Sequence, residues 1–228
     1  MIKKEVNASR TYSREIWCRI MSDIAILLNP TAGSGKAKKK RQLLENRLRY
    51  YGLDYTIFES RSSAHLARLA AEKSRIYEII VGAGGDSTFD IIINEVVKQG
   101  NGNIFGMIGL GSQNDIVREF GVDSLEKACS AIKSREIKQV DLGILTADNF
   151  DSLYFLGTAS LGLGTTVNRY IKNLKRYPIP EKLLVISAIF GIHNSYSSRE
   201  VPIPLTLKYD NIAFTDDLSL VVFTNTSF

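Results

Sequence analysis

The segment at residues 77–95 constrains the fold of this chain more than any other stretch. A short apolar run at residues 79–81 leads into Gly-Ala-Gly-Gly at residues 82–85, and Asp-Ser-Thr then opens a second apolar run. This order is typical of a buried strand, a glycine turn and a buried helix. Such a turn directs backbone N–H groups and the positive end of the helix dipole toward an anion. The segment therefore predicts a phosphate site at the end of a strand.

Asp86 is unexpected in such a turn, because a carboxylate repels a phosphate unless a metal ion or a transferable proton lies between them. One interpretation is a simple cap on the following helix. The other is a role in phosphoryl transfer, in which the protein mainly positions the reacting groups and stabilises their charge. The flanking motifs decide between the two.

Strands and helices alternate from residue 24 to residue 142. The predicted strands are residues 24–28, 55–58, 79–81, 104–108 and 137–142. The first predicted helix covers residues 36–51, and Ser62 or Ser63 caps the second. A third helix follows Asp86, a short fourth helix ends near Phe120, and Asp123 caps a fifth that ends near Lys133. This alternation predicts an α/β fold with a doubly wound parallel sheet.

Three of the predicted strands end in polar glycine turns, at residues 29–35, 82–88 and 109–115. Ligands of doubly wound sheets bind beyond the carboxyl ends of the strands. We therefore expect the three turns to converge on one crevice that binds a nucleotide.

The region from residue 143 onward has a different character. Strands are predicted at residues 153–159, 205–209 and 218–224, with turn signals at residues 210–211 and 216–217, and helices at residues 165–175 and 181–192. The expected organisation is a tail at residues 1–21, a nucleotide-binding domain at residues 22–142 and a β-rich second domain at residues 143–228.

The net charge and the composition of the chain limit which binding partners and which cellular compartment are expected. The net charge of +5 is compatible with a nucleotide, an anionic membrane surface or nucleic acid, but no stretch interleaves aromatic and basic residues, so no nucleic acid partner is expected. The two cysteines, Cys18 and Cys129, lie far apart without the His or Cys neighbours of a zinc site. Without a spanning segment or a signal peptide, the chain is expected to be cytoplasmic.

Four motifs occur in order along residues 24–143. They are Asn-Pro-x-x-Gly at residues 29–33, Gly-Gly-Asp-Ser-Thr at residues 84–88, Gly-Ser-Gln-Asn-Asp at residues 111–115 and Val-Asp-Leu-Gly at residues 140–143. Together they resemble the catalytic domain of the diacylglycerol kinase and sphingosine kinase superfamily, which includes soluble bacterial lipid kinases and shares its nucleotide-binding fold with NAD kinase. Residues 155–164 also resemble the start of the β-sandwich domain of that family.

The resemblance implies an ATP-dependent lipid kinase that transfers the γ-phosphate to a lipid hydroxyl, such as that of diacylglycerol. The residues that it places at the nucleotide are Asn29, Pro30, Ala32, Gly33, Lys36, Ser60, Gly84, Gly85, Asp86, Ser87, Thr88, Ser112 and Asn114. The catalytic residues, which would also organise Mg²⁺ and its waters, are Asp86, Asp115 and Asp141. Peripheral contact with a membrane surface is expected with such a substrate.

Simpler interpretations remain open for several of these residues. Asp115 could brace its own loop, and Asp141 could accept a hydrogen bond from a backbone amide. The basic run that starts at Lys36 could be a solvated helix face or could lie near phosphate or membrane. The apolar helix at residues 183–192 could line an acyl path or belong to the core of the second domain.

Two departures from the family pattern bear on activity. Ser87 stands where the family has a third glycine, and a positive φ there would cost on the order of 1 kcal/mol. The Asn-Glu pair of the family would fall on Asp90 and Ile91.

The sequence also ends at Phe228, before the later family segment that supplies a structural metal site and, in many members, the base carboxylate. A truncated or catalytically impaired nucleotide- or lipid-binding relative is therefore one alternative.

An NAD kinase-like enzyme is the other enzymatic alternative, although the Gly-Ser-Gln-Asn-Asp loop fits lipid kinases better. Open edges in the β-rich half would also favour pairing with another chain, and a homodimer is therefore a further expectation.

Overall fold

Two compact units make up the described part of the chain. The structure, a computed structural model, describes residues 23–33, 35–112, 114–147, 150–174, 181–209 and 212–225. The two units divide between Leu156 and Gly157. The predicted tail, residues 1–21, lies outside the described residues, and the domain boundary expected after residue 142 stays a prediction.

A parallel sheet of four strands forms the centre of the first unit. The strands are β1 (Ile24–Leu28), β2 (Tyr55–Glu59), β3 (Ile79–Gly84) and β4 (Ile104–Gly109). Their order across the sheet is β2-β1-β3-β4. Leu28 lies opposite Ala83, and Gly84 lies opposite Gly109, so that β1, β3 and β4 end side by side. The predicted parallel sheet is confirmed.

Helices cover both faces of this sheet. They are α1 (Lys36–Tyr50), α2 (Ser63–Lys73), α3 (Asp86–Gln99), α4 (Asp115–Glu119) and α5 (Leu125–Ser134). Ile26 and Leu28 pack with α1 and α5 on one face, whereas Ala25 and Leu27 pack with α2 and α3 on the other. Because successive strand side chains point to opposite faces, a strand that is apolar throughout needs cover on both. The doubly wound arrangement is therefore confirmed.

The caps of two helices show where local sequence signals succeed and fail. Ser62 Oγ accepts a hydrogen bond from the backbone N–H of His65 at 3.1 Å and caps α2, as predicted. In α5 the cap is Ser124, whose Oγ accepts from the backbone N–H of Lys127 at 3.2 Å. The predicted cap, Asp123, lies one residue too early. Its carboxylate instead accepts a hydrogen bond from Lys127 Nζ at 2.7 Å.

Two predicted features of the first unit are wrong in detail. Residues 82–84 belong to β3, so the turn before α3 consists of Gly85 alone. Residues 137–142 do not form a strand, and Ile137 and Val140 are 61% and 43% exposed. The strand propensity of a residue reflects mostly how its side chain packs against neighbouring strands. Because none of the described strands pairs with residues 137–142, this propensity has no effect there.

A hairpin of β5 (Gly143–Ala147) and β6 (Phe150–Phe155) completes the first unit. Asn94 of α3 binds it through Tyr154. The Asn94 Nδ2 group donates to the Tyr154 carbonyl at 2.6 Å, and the Tyr154 N–H donates to Asn94 Oδ1 at 2.8 Å. The amide thus pairs with β6 as a neighbouring strand would, and it joins the hairpin to the helix that follows the glycine turn.

The described part of the second unit contains two helices and small antiparallel pairs of strands. The elements are β7 (Thr158–Gly162), α6 (Leu163–Leu174), α7 (Glu181–Ser197), β8 (Ile203–Tyr209), β9 (Ile212–Leu218) and β10 (Leu220–Thr224). β7 pairs with β10, and β8 pairs with β9. The turn expected at residues 216–217 is wrong, because both residues lie inside β9; residues 210–211 are outside the described part. None of the described helices is long and apolar enough to cross a membrane.

Candidate functional site

The turns that follow β1, β3 and β4 touch one another. The carbonyl of Gly84 accepts hydrogen bonds from the N–H groups of Leu110 at 2.6 Å and Gly111 at 3.0 Å. A Cβ atom on Gly33 would lie 2.9 Å from the Leu110 carbonyl oxygen, and Gly33 has a φ of +61°. Close approach and a positive φ together explain glycine at this position. The predicted convergence of the three turns is therefore confirmed, whereas a nucleotide-binding crevice at that point stays a prediction.

The amide of Asn29 ties the first turn to the start of α3. Asn29 Nδ2 donates to Thr88 Oγ1 at 2.9 Å, and Asn29 Oδ1 accepts from the backbone N–H and hydroxyl of Thr31 at 3.2 and 2.8 Å. Thr88 Oγ1 also accepts from the N–H of Gly85 at 3.4 Å. Thr88 is buried, so this polar network holds the start of α3 against the end of β1.

Asp86 caps a helix other than its own. Its Oδ2 atom accepts from the N–H of Asp115 at 3.3 Å, and its Oδ1 atom accepts from the N–H of Ile116 at 3.2 Å. These are N–H groups at the start of α4, which have no carbonyl partner within that helix. The carboxylate therefore joins the start of α3, just after the second turn, to the start of α4, just after the third. The side chain of Asp115 points to a different partner, Arg118, at 3.3 Å.

Asn114 carries a buried acceptor that lacks a partner. Its Nδ2 group donates to the Gly111 carbonyl at 3.1 Å, and its backbone has a φ of 57°. Its Oδ1 atom is buried and accepts no hydrogen bond from the described residues. Such an atom costs about 1–3 kcal/mol of folding free energy. A donor that binds at the site, such as a water molecule, would recover that cost.

A second carboxylate lies one helical turn after Asp86. Burial raises the pKa of Asp90 to about 6, and the neighbouring charge of Asp86 adds to the shift. Asp90 was not among the site residues predicted from the sequence. The spacing of four residues on a helix that opens at the glycine turn was the signal that could have identified it.

The three carboxylates assigned to Mg²⁺ occupy different surroundings. Asp86 lies between two turns, Asp115 pairs with Arg118, and Asp141 is exposed within irregular residues 135–142. No group of three or more His, Cys, Asp or Glu side chains is gathered as a metal cluster within the described part of the chain. A shared metal site of Asp86, Asp115 and Asp141 therefore stays a prediction.

Ser87 does not carry the expected strain. It is an exposed residue in the first turn of α3, and it is not among the described residues that have a positive φ. A serine adopts helical φ at no special cost, so the cost of about 1 kcal/mol considered for this position does not arise.

The remaining candidates surround these turns. Pro30 begins the first turn, and Ala32 is buried against the core. Ser60 is buried, with its N–H donating to the Leu28 carbonyl at 2.9 Å. Ser112 is exposed on the third turn. Lys36 is the first residue of α1, but its side chain lies outside the described part, and its role at a phosphate stays a prediction.

Glycine at position 111 is required by close backbone contact. A Cβ atom there would lie 2.6 Å from Asn114 Oδ1 and 2.7 Å from the Cα atom of Gly85. We expect Gly111→Ala to push two turns apart and lower the free energy of unfolding by about 1–3 kcal/mol. Denaturant unfolding would measure the loss. The control Ser112→Ala adds no atoms to the same turn and should change stability by less than about 0.5 kcal/mol. Equal stability of Gly111→Ala and the wild type would contradict this packing.

A cavity of about 830 Å³ lies elsewhere in the first unit, lined by β4, α5 and residues 135–138. No residue of the three turns lines it. The cavity is therefore separate from the candidate site.

The sequence of the chain is similar to known proteins. The diacylglycerol kinase catalytic domain family matches residues 23–145. The diacylglycerol kinase of Bacillus subtilis (strain 168) is 23% identical over 215 residues, which are 91% of this chain and 66% of that protein. The diacylglycerol kinase of Staphylococcus haemolyticus (strain JCSC1435) is 27% identical over 201 residues, 86% of this chain and 57% of that protein.

The fold is also similar to a solved structure. The crystal structure of a diacylglycerol kinase from Bacillus anthracis str. Sterne superposes with a TM-score of 0.64 at 20% identity, covering 92% of this chain and 66% of the other. This chain thus spans about two thirds or less of the length of these relatives. The family match covers more than half of the chain and contains all three turns, and the chain therefore belongs to the diacylglycerol kinase catalytic domain family.

Proposed function

We propose that this chain is an ATP-dependent lipid kinase that transfers the γ-phosphate of ATP to the hydroxyl of a diacylglycerol-like lipid. The observation that carries the proposal is the junction of three turns at the ends of β1, β3 and β4, with the Asp86 carboxylate between two of them. The names of the relatives support a lipid acceptor.

The first turn of α3 is the proposed phosphate cradle. The N–H groups of residues at a helix start lack carbonyl partners within the helix, and the helix dipole adds positive potential there. Gly85, which precedes α3, carries no side chain to obstruct an approaching phosphate. Gly33 and Ser112, on the neighbouring turns, would contact the same phosphates.

The residues at the junction fit a hydrated Mg²⁺ ion. Each oxygen of Asp86 accepts one backbone N–H and keeps a lone pair, and Asn114 Oδ1 needs a donor of the kind that a metal-bound water supplies. Mg²⁺ in kinase sites usually keeps several waters and takes one or two carboxylates. Asp86, with Asp90 one helical turn later, would supply them. When bound, the ion neutralises charge on the transferring phosphoryl group.

Phosphate transfer from radiolabelled ATP to a panel of lipids would test the proposal, with NAD as a further acceptor. We expect label on diacylglycerol in the presence of Mg²⁺ and none on NAD. Label on NAD alone would replace the lipid kinase by an NAD kinase-like enzyme.

A nucleotide-binding relative without turnover is the second candidate, and the capping role of Asp86 favours it, because the carboxylate already has a structural task. A rise in melting temperature with ATP and Mg²⁺, without label on any acceptor, would support this second candidate against the first. If millimolar ATP gives no stabilisation, both candidates are wrong.

A further inference from the structure

The cavity of the first unit follows the open edge of its sheet. Strand β4 is the last strand in the order β2-β1-β3-β4, and no described strand pairs along its outer side. Four consecutive β4 residues line the cavity, namely Ile104, Phe105, Gly106 and Met107. Because successive residues of a strand point to opposite faces, a cavity that contacts all four lies at the edge of the sheet. We call this cavity the β4 groove.

The β4 groove is an apolar surface without a cover in the described part of the chain. Every residue of β1 and β3 is buried, whereas Ile108 is the only buried residue of β4. A strand that is apolar on both faces needs cover on both, and an open strand edge is a template for another segment of chain. Ile137 and Val140, which also line the groove, are 61% and 43% exposed.

Asn103, the residue before β4, adds a polar atom without a partner to the groove that it lines. Its Nδ2 group donates to the carbonyls of Ser74 and Tyr77 at 2.8 and 2.7 Å. Its Oδ1 atom is buried and accepts no hydrogen bond from the described residues. A purely apolar ligand would leave this oxygen unpaired, whereas a peptide N–H would pair with it. The groove therefore suits a segment of polypeptide with apolar side chains.

The first described residue, Asp23, lies at the rim of the β4 groove. Asp23 Oδ2 accepts a hydrogen bond from Arg135 Nη2 at 3.2 Å, and the Asp23 carbonyl accepts one from the Ile79 N–H at 3.0 Å. Arg135 and Ile79 both line the groove. The residues that precede Asp23 therefore start beside it. Among them, residues 16–21 have the sequence Ile-Trp-Cys-Arg-Ile-Met, in which five of six residues are apolar.

We propose that residues 16–21 of the same chain occupy the β4 groove. Residues 16–22 can span at most about 25 Å, and a sphere of 830 Å³ is about 12 Å across, so the segment can reach the whole groove. A segment tethered this closely has an effective concentration on the order of millimolar or higher, an advantage that a second copy or a separate ligand lacks. The inference concerns a surface separate from the candidate site and does not depend on kinase activity.

Trp17 is the one tryptophan of the chain, so its fluorescence reports directly on the segment. We expect the emission of the wild type to be shifted to the blue relative to the denatured chain, and acrylamide to quench it several-fold less. Ile137→Asp/Val140→Asp should shift the emission to the red and restore the quenching. Each of these carboxylates would lie under the segment and should lower the ratio of docked to free segment by about tenfold or more.

The matched control is Leu43→Asp/Ile76→Asp. These side chains are 50% and 59% exposed in the same unit, and neither lines the β4 groove. This control should keep the emission and the acrylamide protection of the wild type. Both double variants replace exposed side chains, and circular dichroism would confirm that each is folded.

Short-range quenching of a dye would show where the segment lies. In a Cys18→Ser background, a bimane dye on Ser130→Cys, an exposed residue that lines the groove, should be quenched by contact with Trp17. Trp17→Phe should restore the emission of the dye. The same dye on Ile76→Cys should be equally bright with either residue at position 17. Cys129 is buried and should not react with the dye.

Three outcomes would overturn the inference. Acrylamide could quench Trp17 as strongly in the wild type as in the denatured chain, which would leave the groove to a separate partner. The folded Ile137→Asp/Val140→Asp variant could keep the wild-type emission. Quenching of the dye could also increase with protein concentration, which would assign the groove to the segment of a second copy. Absence of phosphate transfer with Trp17 protected would contradict the proposed kinase activity and leave this inference standing.

Discussion

Replacement of Asp86 by asparagine is expected to lower kcat for phosphate transfer by roughly 10³-fold. Asparagine keeps one acceptor oxygen for the N–H groups at the start of α4, to which the carboxylate is bound at 3.2 and 3.3 Å. It loses the negative charge that would hold a cation beside the transferring phosphoryl group. Initial rates with radiolabelled ATP and diacylglycerol would measure the effect.

Two further variants separate charge from structure. Asp86→Ala also removes the cap and should lower the free energy of unfolding by about 0.5–2 kcal/mol, whereas Asp86→Asn should lower it less. Asp123→Asn removes an exposed carboxylate that pairs with Lys127 in the same unit, and it should leave kcat unchanged. If Asp86→Asn kept more than about a tenth of wild-type turnover, the carboxylate would be a helix cap only.

Replacement of Asp90 by asparagine is expected to raise the free energy of unfolding by up to about 3 kcal/mol at pH 8, measured with EDTA and without nucleotide. The pKa of Asp90 is raised from 3.8 to about 6 by burial and by the charge of Asp86. The folded state therefore holds a proton that the unfolded state releases between these two pH values. Stability of the wild type should fall as pH rises through this window, and above it the buried charge is a cost that asparagine removes.

The pH dependence distinguishes this effect from a general gain in packing. At pH 4 the folded protein carries a neutral Asp90, so the advantage of Asp90→Asn should shrink greatly. Asp54→Asn, at an exposed position just before β2, should leave the free energy of unfolding unchanged at both pH 4 and pH 8. Denaturant unfolding at pH 4 and pH 8 would supply the comparison. An equal advantage at both pH values, or none at pH 8, would contradict the assignment of the shift to Asp90.

Much of the first unit could be predicted from local pattern. Residues 24–28 are apolar throughout and form β1, buried along its whole length, because a central parallel strand is covered on both faces. Ser62 caps α2 because its hydroxyl accepts a hydrogen bond from the backbone N–H three residues later. The convergence of the glycine turns was also predictable, since the carboxyl ends of parallel strands lie at one edge of the sheet.

Local sequence pattern gave the wrong secondary structure where pairing with another strand determines it. Residues 137–142 have strand propensity but no pairing strand in the described part, and the strand that the sequence predicts there does not form. The turn signal at residues 216–217 was overridden by the ladder between β8 and β9, where Asp216 lies opposite Leu205. In both places, whether a strand forms depends on pairing with a strand that is distant in the sequence, and the intrinsic strand propensity of the residues is only one contribution.

The sequence by itself determined which residues reach the site: strand patterning and glycine positions bring Asn29, Gly85 and Gly111 to one edge of the sheet. Only the tertiary structure decided the roles of the two carboxylates beside them, Asp86 and Asp90. Asp86 meets N–H groups 29 and 30 residues away, and Asp90 takes its shifted pKa from burial beside Asp86. The physical reason is that burial patterns and turn chemistry are encoded by neighbouring residues in the sequence. A hydrogen-bond partner across the sheet depends instead on strand register and helix placement, and the packing of the whole unit sets both.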